Sequence, residues 1–491
     1  MRRYCGKVLS ICTQSIGTGV ILLLMTIMSI IFVALLSFSE DVKPDCVDKN
    51  IYIDSIPRVD IKTNDGIHIS KTIWSSAKIS LSDDFSSTNE SSTPIKIRTR
   101  GSSSRTAGIR YGAMPYKITF EEEHALLGIA ESRKWLLLPN FIDPSGIRQY
   151  LLFHIASMIM GDNYWTPQAK YVELYINQEY RGLYLLAESI EAEDNRVNIS
   201  EAGFIVELEM QKKEPAFYKN PNRIEGDAFS IDQTVELDKR QEYGTDIGYL
   251  TFELHQPKTF DDLTEEQTNQ ITETIRKVYS QLENRVPLSE IAIDLDSFVR
   301  YFLFQEIFFN YEFGQSSVYL VNNGEITMAG PPWDFDRLAS YWTTEGYLLP
   351  TIAKDRQQNP DATYFSYENT LYRYLLAYPE FKEKIMQAFT DFYESSASKL
   401  RDELMYLKEN KTLCSAIEQN ENLYHRLSRT DLEPAFQSNK HIESINTFEG
   451  QVDYLVGWLY DGLGFEHSEY TERYQGRIEW IKEHLDEWGE V

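Results

Sequence analysis

Asp334 and Asp336 stand two residues apart in the run Gly330-Pro331-Pro332-Trp333-Asp334-Phe335-Asp336-Arg337. Residues at that spacing point to one side of an extended chain. Two carboxylates so placed can hold a divalent cation by its oxygens, as cations that carry nucleotide phosphates are held. The pattern also suits a turn whose aspartates cap a following helix. The run leaves an expected hairpin, residues 317–321 and 325–328 around Asn322-Asn323-Gly324, where Asn-Gly is a strong turn signal.

A second constellation is basic. Residues 91–120 contain no Asp or Glu, although the whole chain carries a net charge of −27. They hold Lys96, Arg98, Arg100, Arg105, Arg110 and Lys117 around the loop Arg100-Gly101-Ser102-Ser103-Ser104-Arg105. Glycine lets backbone approach a ligand closely. Ser102 and Ser103 can donate to phosphate oxygens, and Arg100 and Arg105 can bind them bidentately. A solvated basic strand face balancing acidic neighbours is the competing reading. Lys117 lies between Tyr116 and Ile118 in a strand pattern, where burying an unpaired ammonium is costly.

The elements that must position these groups follow from periodicity. Residues 95–100 alternate as a strand with one apolar face, and 115–120 read as its continuation. Strand-like patterns begin near Ile67, residues 135–139 read as a short buried strand, and 171–176 with 180–187 as a hairpin. Residues 147–160 have apolar side chains at helical spacing. Beyond about residue 263 the chain turns helical, with a stripe at Ile271, Ile275, Val278 and Leu282 and a cap at Asp294. A strand-rich half followed by a helix-rich half is an α+β pattern, with a cleft expected between two lobes.

The ends bound the class. Residues 17–38 are an uncharged run preceded by Arg2, Arg3 and Lys7 and followed by Glu40 and Asp41. That length spans a bilayer, and the charges put the N-terminus in the cytoplasm and the bulk of the chain outside. A cleaved signal peptide is the rival, although its apolar core is normally shorter. The expected layout is a cytoplasmic 1–16, a transmembrane anchor 17–38, a juxtamembrane linker 39–65, a core 66–350 and a helical region 351–491. The acidic balance argues against nucleic-acid binding. Four cysteines make no disulfide scaffold, though Cys46 and Cys414 could pair. No nucleophile elbow, zinc-protease helix, Walker loop or dinucleotide fingerprint is present.

The ordered set of motifs resembles the CotH kinase family, the spore-coat-protein-H-like atypical kinases. It comprises the Arg100–Arg105 loop, Pro115-Tyr116-Lys117-Ile118, Leu126-Leu127-Gly128, Trp135-Leu136-Leu137-Leu138-Pro139-Asn140 and Asp143 with Ile147-Arg148. Leu174-Tyr175-Ile176-Asn177, Gly182-Leu183-Tyr184-Leu185-Leu186-Ala187-Glu188 and Pro332-Trp333-Asp334-Phe335-Asp336 complete it. The resemblance implies a two-lobed protein-kinase-like fold that binds ATP with Mg²⁺ or Mn²⁺ and phosphorylates Ser/Thr hydroxyls of a protein substrate, or serves among coat or envelope proteins. It puts Lys117 at the phosphate-contacting lysine, Asp334 at the metal aspartate and Glu188 near the hinge. The family's Asn-x-Asp element appears as Asn310-Tyr311-Glu312, with Ser317 in place of a metal-binding amide and Asp336 as a further metal ligand. Glu312 is one methylene longer than the family's base, and a shift of ~1 Å can cost about a hundredfold in rate. Two readings therefore stand: an anchored kinase of reduced activity, or a lapsed one that acts by binding proteins. The helix 147–160 offers no acid to pair with Lys117, so its partner must come from elsewhere.

Overall fold

Alternation builds the first half of the molecule. In the computed structural model, Val59 and Ile61 of β1 (Arg58–Thr63), Ile79 of β2 (Ser75–Ser82) and Ile97 of β3 (Thr93–Thr99) all point into one apolar interior. Ile118 of β4 (Tyr116–Leu126), Trp135 of β5 (Ile129–Leu138), Leu174 of β6 (Ala169–Ile176) and Tyr184 of β7 (Glu179–Glu188) fill the rest. These strands close into a barrel in the order β1-β2-β3-β4-β5-β7-β6, sealed by parallel pairing of β1 with β6. The structure describes residues 53–64, 69–82, 92–209, 224–225, 228–231, 250–308, 310, 313, 316–338, 369–438, 440–462 and 476–486.

Two expectations about the start of the core change. Residues 58–63, read as part of a polar tether, form the barrel's closing strand. Residues 69–74 are not a strand; β2 begins at Ser75, and 65–68 lie outside the described residues. Among the described residues no helix is long and apolar enough to cross a membrane, and the expected anchor, residues 17–38, lies outside them. Contacts divide the chain into Met1–Ile51 and Tyr52–Val491, and every described residue belongs to the second unit.

A second, antiparallel sheet has the order β13-β12-β8-β11-β10-β9. Its strands are β8 (Phe204–Leu208), β9 (Ile224–Glu225), β10 (Ala228–Ile231), β11 (Leu250–Gln256), β12 (Val318–Asn322) and β13 (Thr327–Ala329). Phe252 packs its ring against Tyr279 of a helix at 5.9 Å, so this face of β11 meets a helix and Glu253 points the other way. The hairpin of β12 and β13 forms as expected, with Asn322 opposite Thr327 and Gly324 at φ +110°.

Helices α1 (Ser103–Tyr111), α2 (Arg148–Met160), α3 (Glu265–Glu283) and α4 (Leu295–Ile307) frame the two sheets. The stripe Ile271, Ile275, Val278 and Leu282 is buried on α3, and Asp294 caps α4 by accepting from Ser297 N at 3.2 Å. Among the described residues seven more α-helices follow: α5 (Thr370–Leu375), α6 (Pro379–Ser395), α7 (Ala397–Glu409), α8 (Lys411–Tyr424), α9 (Lys440–Ser444), α10 (Phe448–Val456) and α11 (Arg477–Glu483). This is the mixed α+β layout, strand-rich first and helical after.

The start of α2 is held by a buried network. Asp143 Oδ2 accepts from Arg148 N at 2.8 Å, and Asp143 Oδ1 accepts from Ser145 N at 2.9 Å and from Arg148 Nη1 at 2.5 Å. Asp143 and Arg148 are 2% and 1% exposed. Breaking a buried pair leaves one charge unmatched in a poor solvent, at about 3–5 kcal/mol. Asp143→Ala should lower unfolding stability by that amount in urea titration; an unchanged midpoint would show that the network carries no such weight.

Candidate functional site

Aromatic anchors turn the two aspartates toward open space. In the run 333–336, Trp333 and Phe335 are buried, Asp334 is exposed and Asp336 is half-buried. Phe153 of α2 meets Trp333 at 5.5 Å and Phe335 at 5.2 Å, and Phe304 of α4 meets Phe335 at 5.1 Å. Gln149 Oε1 accepts from Phe335 N at 3.1 Å, and Arg148 Nε donates to Leu338 O at 3.2 Å. Helix α2 thus holds both ends of the segment. Asp334 has φ +66° and Ser317 φ +58°, left-handed values uncommon outside glycine. The two meet where Ser317 Oγ donates to Asp334 Oδ2 at 3.2 Å. Such backbone strain gathers at binding sites.

These residues line a cleft of about 790 Å³. Its roof is the Arg100–Ser104 loop with Lys71, and its floor is the face of the second sheet that carries Glu207, Glu253, His255 and Tyr319, with Glu209 and Ser317 just beyond the strand ends. Asp334, Asp336 and Gln149 close one side. The expected loop is partly helical, because α1 starts at Ser103. Ser102, at its N-cap, makes no side-chain bond to the helix it opens. The first-turn N–H groups of a helix carry partial positive charge and suit an anion. Gly101 sits at φ +80°, and a Cβ there would come within 2.3 Å of Ser104 Oγ, so the turn requires glycine.

The expected site residues divide. Arg100, Ser102, Ser103, Ser317, Asp334 and Asp336 come together in the cleft. Arg105 does not line it; its Nε donates to Thr99 Oγ1 at 3.1 Å. Lys117 lies on the outer barrel face, opposite Arg98 on one side and Leu136 on the other. Its ammonium is 2.7 Å from Glu191 Oε1. That carboxylate, in the loop after β7, is the partner the sequence left unassigned. Lys134 and Lys258 also reach it, at 2.7 and 3.5 Å. Burial pushes the Lys117 pKa down to about 8 against the pull of Glu191. Burial acts to raise Glu191, but the ammonium of Lys117, then Lys258 and the hydrogen bonds outweigh it and hold the group well below the usual carboxylate range.

Glu188 ends β7 in the interior. It is 1% exposed, Gln168 N donates to it at 2.9 Å, and Arg196 Nε is 3.4 Å away. Burial pushes its pKa up to about 7 despite Arg196. Glu312 lies outside the described residues, as does Tyr311. Their neighbour Asn310 is buried and donates from Nδ2 to Gln305 Oε1 at 2.7 Å. Cys414 is a free thiol, and Cys46 lies outside the described residues.

Sequence reading missed Glu191 and the acidic floor. The floor had a signal: Glu207 interrupts the apolar run Phe204-Ile205-Val206, and a carboxylate inside a buried strand is rare without a task. One comparison with known proteins identifies a family. A family model described as CotH kinase protein matches residues 97–485, and no curated protein matches the chain.

The lysine cluster yields a measurable shift. Glu191→Gln removes the anion and leaves Lys117 beside two ammonium groups, which disfavours its charged form. Its pKa, followed by NMR of the lysine side chain, should fall below about 8. A value unmoved or raised would show that Glu191 does not sustain the charge.

Proposed function

The chain belongs to the CotH kinase family, and on that premise we propose that it is a membrane-anchored atypical kinase that transfers a phosphoryl group from ATP to Ser/Thr hydroxyls of a protein. The observation that carries the proposal is the shared cleft. A helix N-terminus with Arg100, Ser102 and Ser103 faces Asp334, Ser317 and Asp336 across one space.

The donor set fits the group it would hold. Hard cations take carboxylate and hydroxyl oxygens, which Asp334, Asp336 and Ser317 supply. Phosphate oxygens take backbone N–H and guanidinium donors, which the Gly101 turn and Arg100 supply. A nucleotide bound with Mg²⁺ or Mn²⁺ contributes the phosphoryl group and the charge neutralisation that its transfer requires. Arg100 and the serines orient the anion. Lys117, held by Glu191, contributes positive potential beside the barrel. Glu312 takes the acceptor hydroxyl's proton as the oxygen–phosphorus bond forms and the bond to the leaving diphosphate breaks.

Residues 17–38 serve as the anchor, with partners among exoplasmic or coat proteins. Intact-mass analysis of the purified protein should show the segment retained; a chain starting near Glu40 would mean a cleaved signal instead.

A second reading has its own support. The Glu312 carboxylate and the Ser317 hydroxyl replace the family's shorter acid and its amide, and Asn310 bonds into α4. A lapsed kinase that binds a coat protein would carry such changes. Incubation of the full chain with labelled ATP, Mg²⁺ or Mn²⁺ and a Ser-rich acceptor separates the two. Wild type should transfer label and Asp334→Ala should not. Glu312→Gln should lose turnover while keeping nucleotide affinity, and Glu312→Asp should keep or raise activity. Label transfer absent from wild type but gained in Glu312→Asp selects the lapsed reading. Equal behaviour of all the Glu312 forms would remove Glu312 from the chemistry.

A further inference from the structure

The cleft floor holds a donor set that the proposed nucleotide chemistry does not use. Glu207 of β8 lies directly opposite Glu253 of β11 and directly opposite Tyr319 of β12. Like charges facing across a strand pair are destabilising. His255 completes the group through an irregularity in the sheet. Leu254 pairs with Val206, but Gln256 pairs with Ile205, so His255 is the extra residue of a β-bulge. Bulges occur beside functional sites, where they re-aim a side chain. This one leaves His255 Nε2 at 2.6 Å from Glu207 Oε2. One ligand atom from each of Glu207, Glu253 and His255 lies within 4.8 Å of the others.

We propose that Glu207, Glu253 and His255 form a site for a borderline divalent ion, Mn²⁺ or Zn²⁺, separate from the cation expected at Asp334. The donor set decides the class. Imidazole suits transition metals, whereas Mg²⁺ and Ca²⁺ prefer oxygen alone. Ligands on a shell of about 2.1 Å radius stand roughly 3–3.5 Å from one another. Atoms already within 4.8 Å therefore need only side-chain rotation, not movement of the strands. The ion takes the place of the proton between His255 and Glu207. Tyr319 acts from beyond the ligands. Its hydroxyl hydrogen-bonds Glu207, and burial, with Glu207 and Asp334 adding to it, raises its pKa well above the ordinary value. It thus stays a donor that fixes the carboxylate, as outer partners of metal ligands do. The cleft gives the ion a path from solvent, and two carboxylates with one imidazole leave positions open for water or an incoming oxygen.

The site does not depend on nucleotide, so its test omits it. Mn²⁺ is titrated into the full chain without ATP and the free ion followed by electron paramagnetic resonance; Zn²⁺ binding is followed by calorimetry. Wild type should bind one ion at this site. His255→Ala and Glu253→Gln should each weaken that binding at least about tenfold, the loss typical when the metal's supporting groups are removed. Asp334→Ala should retain it. Glu253→Gln keeps size and shape, so it decides the matter if His255→Ala does not fold. Thermal stabilisation by the ion should follow the same order. Binding unchanged in Glu253→Gln, or lost in Asp334→Ala alone, overturns the proposal, as does no binding by wild type. Failure of phosphoryl transfer leaves these outcomes as they are, because no nucleotide enters the measurement.

Discussion

A guanidinium taken out of water needs acceptors, and Arg148 finds them for Nε and Nη1 in two segments distant in sequence. One holds Asp143, which also caps the helix Arg148 begins. The other holds the carbonyl of Leu338, at the end of the run that carries Asp334 and Asp336. The charge pair contributes little net stability by itself, since desolvation offsets most of its attraction. Its value is directional. The next residue, Gln149, takes the Phe335 amide, and one turn along α2 Phe153 receives the rings of Trp333 and Phe335. The cation expected at Asp334 depends on that alignment, because Asp334 faces outward only while its flanking aromatics are held in.

Charge is sorted across the molecule in a way that a net value of −27 hides. The acid-free segment forms the roof of the cleft and the acidic side chains its floor and one side. A nucleotide with its cation has the matching polarity, anion above and metal below. The lysine cluster on the barrel is a separate arrangement. There one buried glutamate meets three ammonium groups, so Glu191 stays ionised while burial lowers the pKa of Lys117 to about 8. Arg100 lines the cleft and Lys117 does not, so the two cations act in different places.

Much of this was legible in the chain. The alternation in residues 95–97, the Asn-Gly turn, the helical stripe of α3 and the Trp-Asp-Phe-Asp run each express a local rule, and each element formed accordingly. What escaped depended on distant neighbours. The strand β1 alternates Val59, Ile61 and Thr63 with charged residues, which reads equally well as a polar tether until β2 and β6 flank it. The pairing of Lys117 with Glu191 joins residues 74 positions apart. The aim of His255 follows from a slip in register, and register across three strands is not written in the residues of any one of them.

The closing strand also sets an order of events during synthesis. Arg58 pairs with Glu173, a separation of 115 residues, in the one parallel contact of the barrel. As the chain emerges, β1 has its antiparallel neighbour β2 early, but its other edge stays open until β6 is made, and β6 joins β5 only through β7. Loop closure over that distance is slow, and an unpaired strand edge invites foreign partners meanwhile. The first lobe is therefore born as an open sheet and becomes a barrel late. Its most vulnerable interval falls before residue 188 has emerged and β7 can join β5 to β6, when the roof of the cleft already exists and the floor does not.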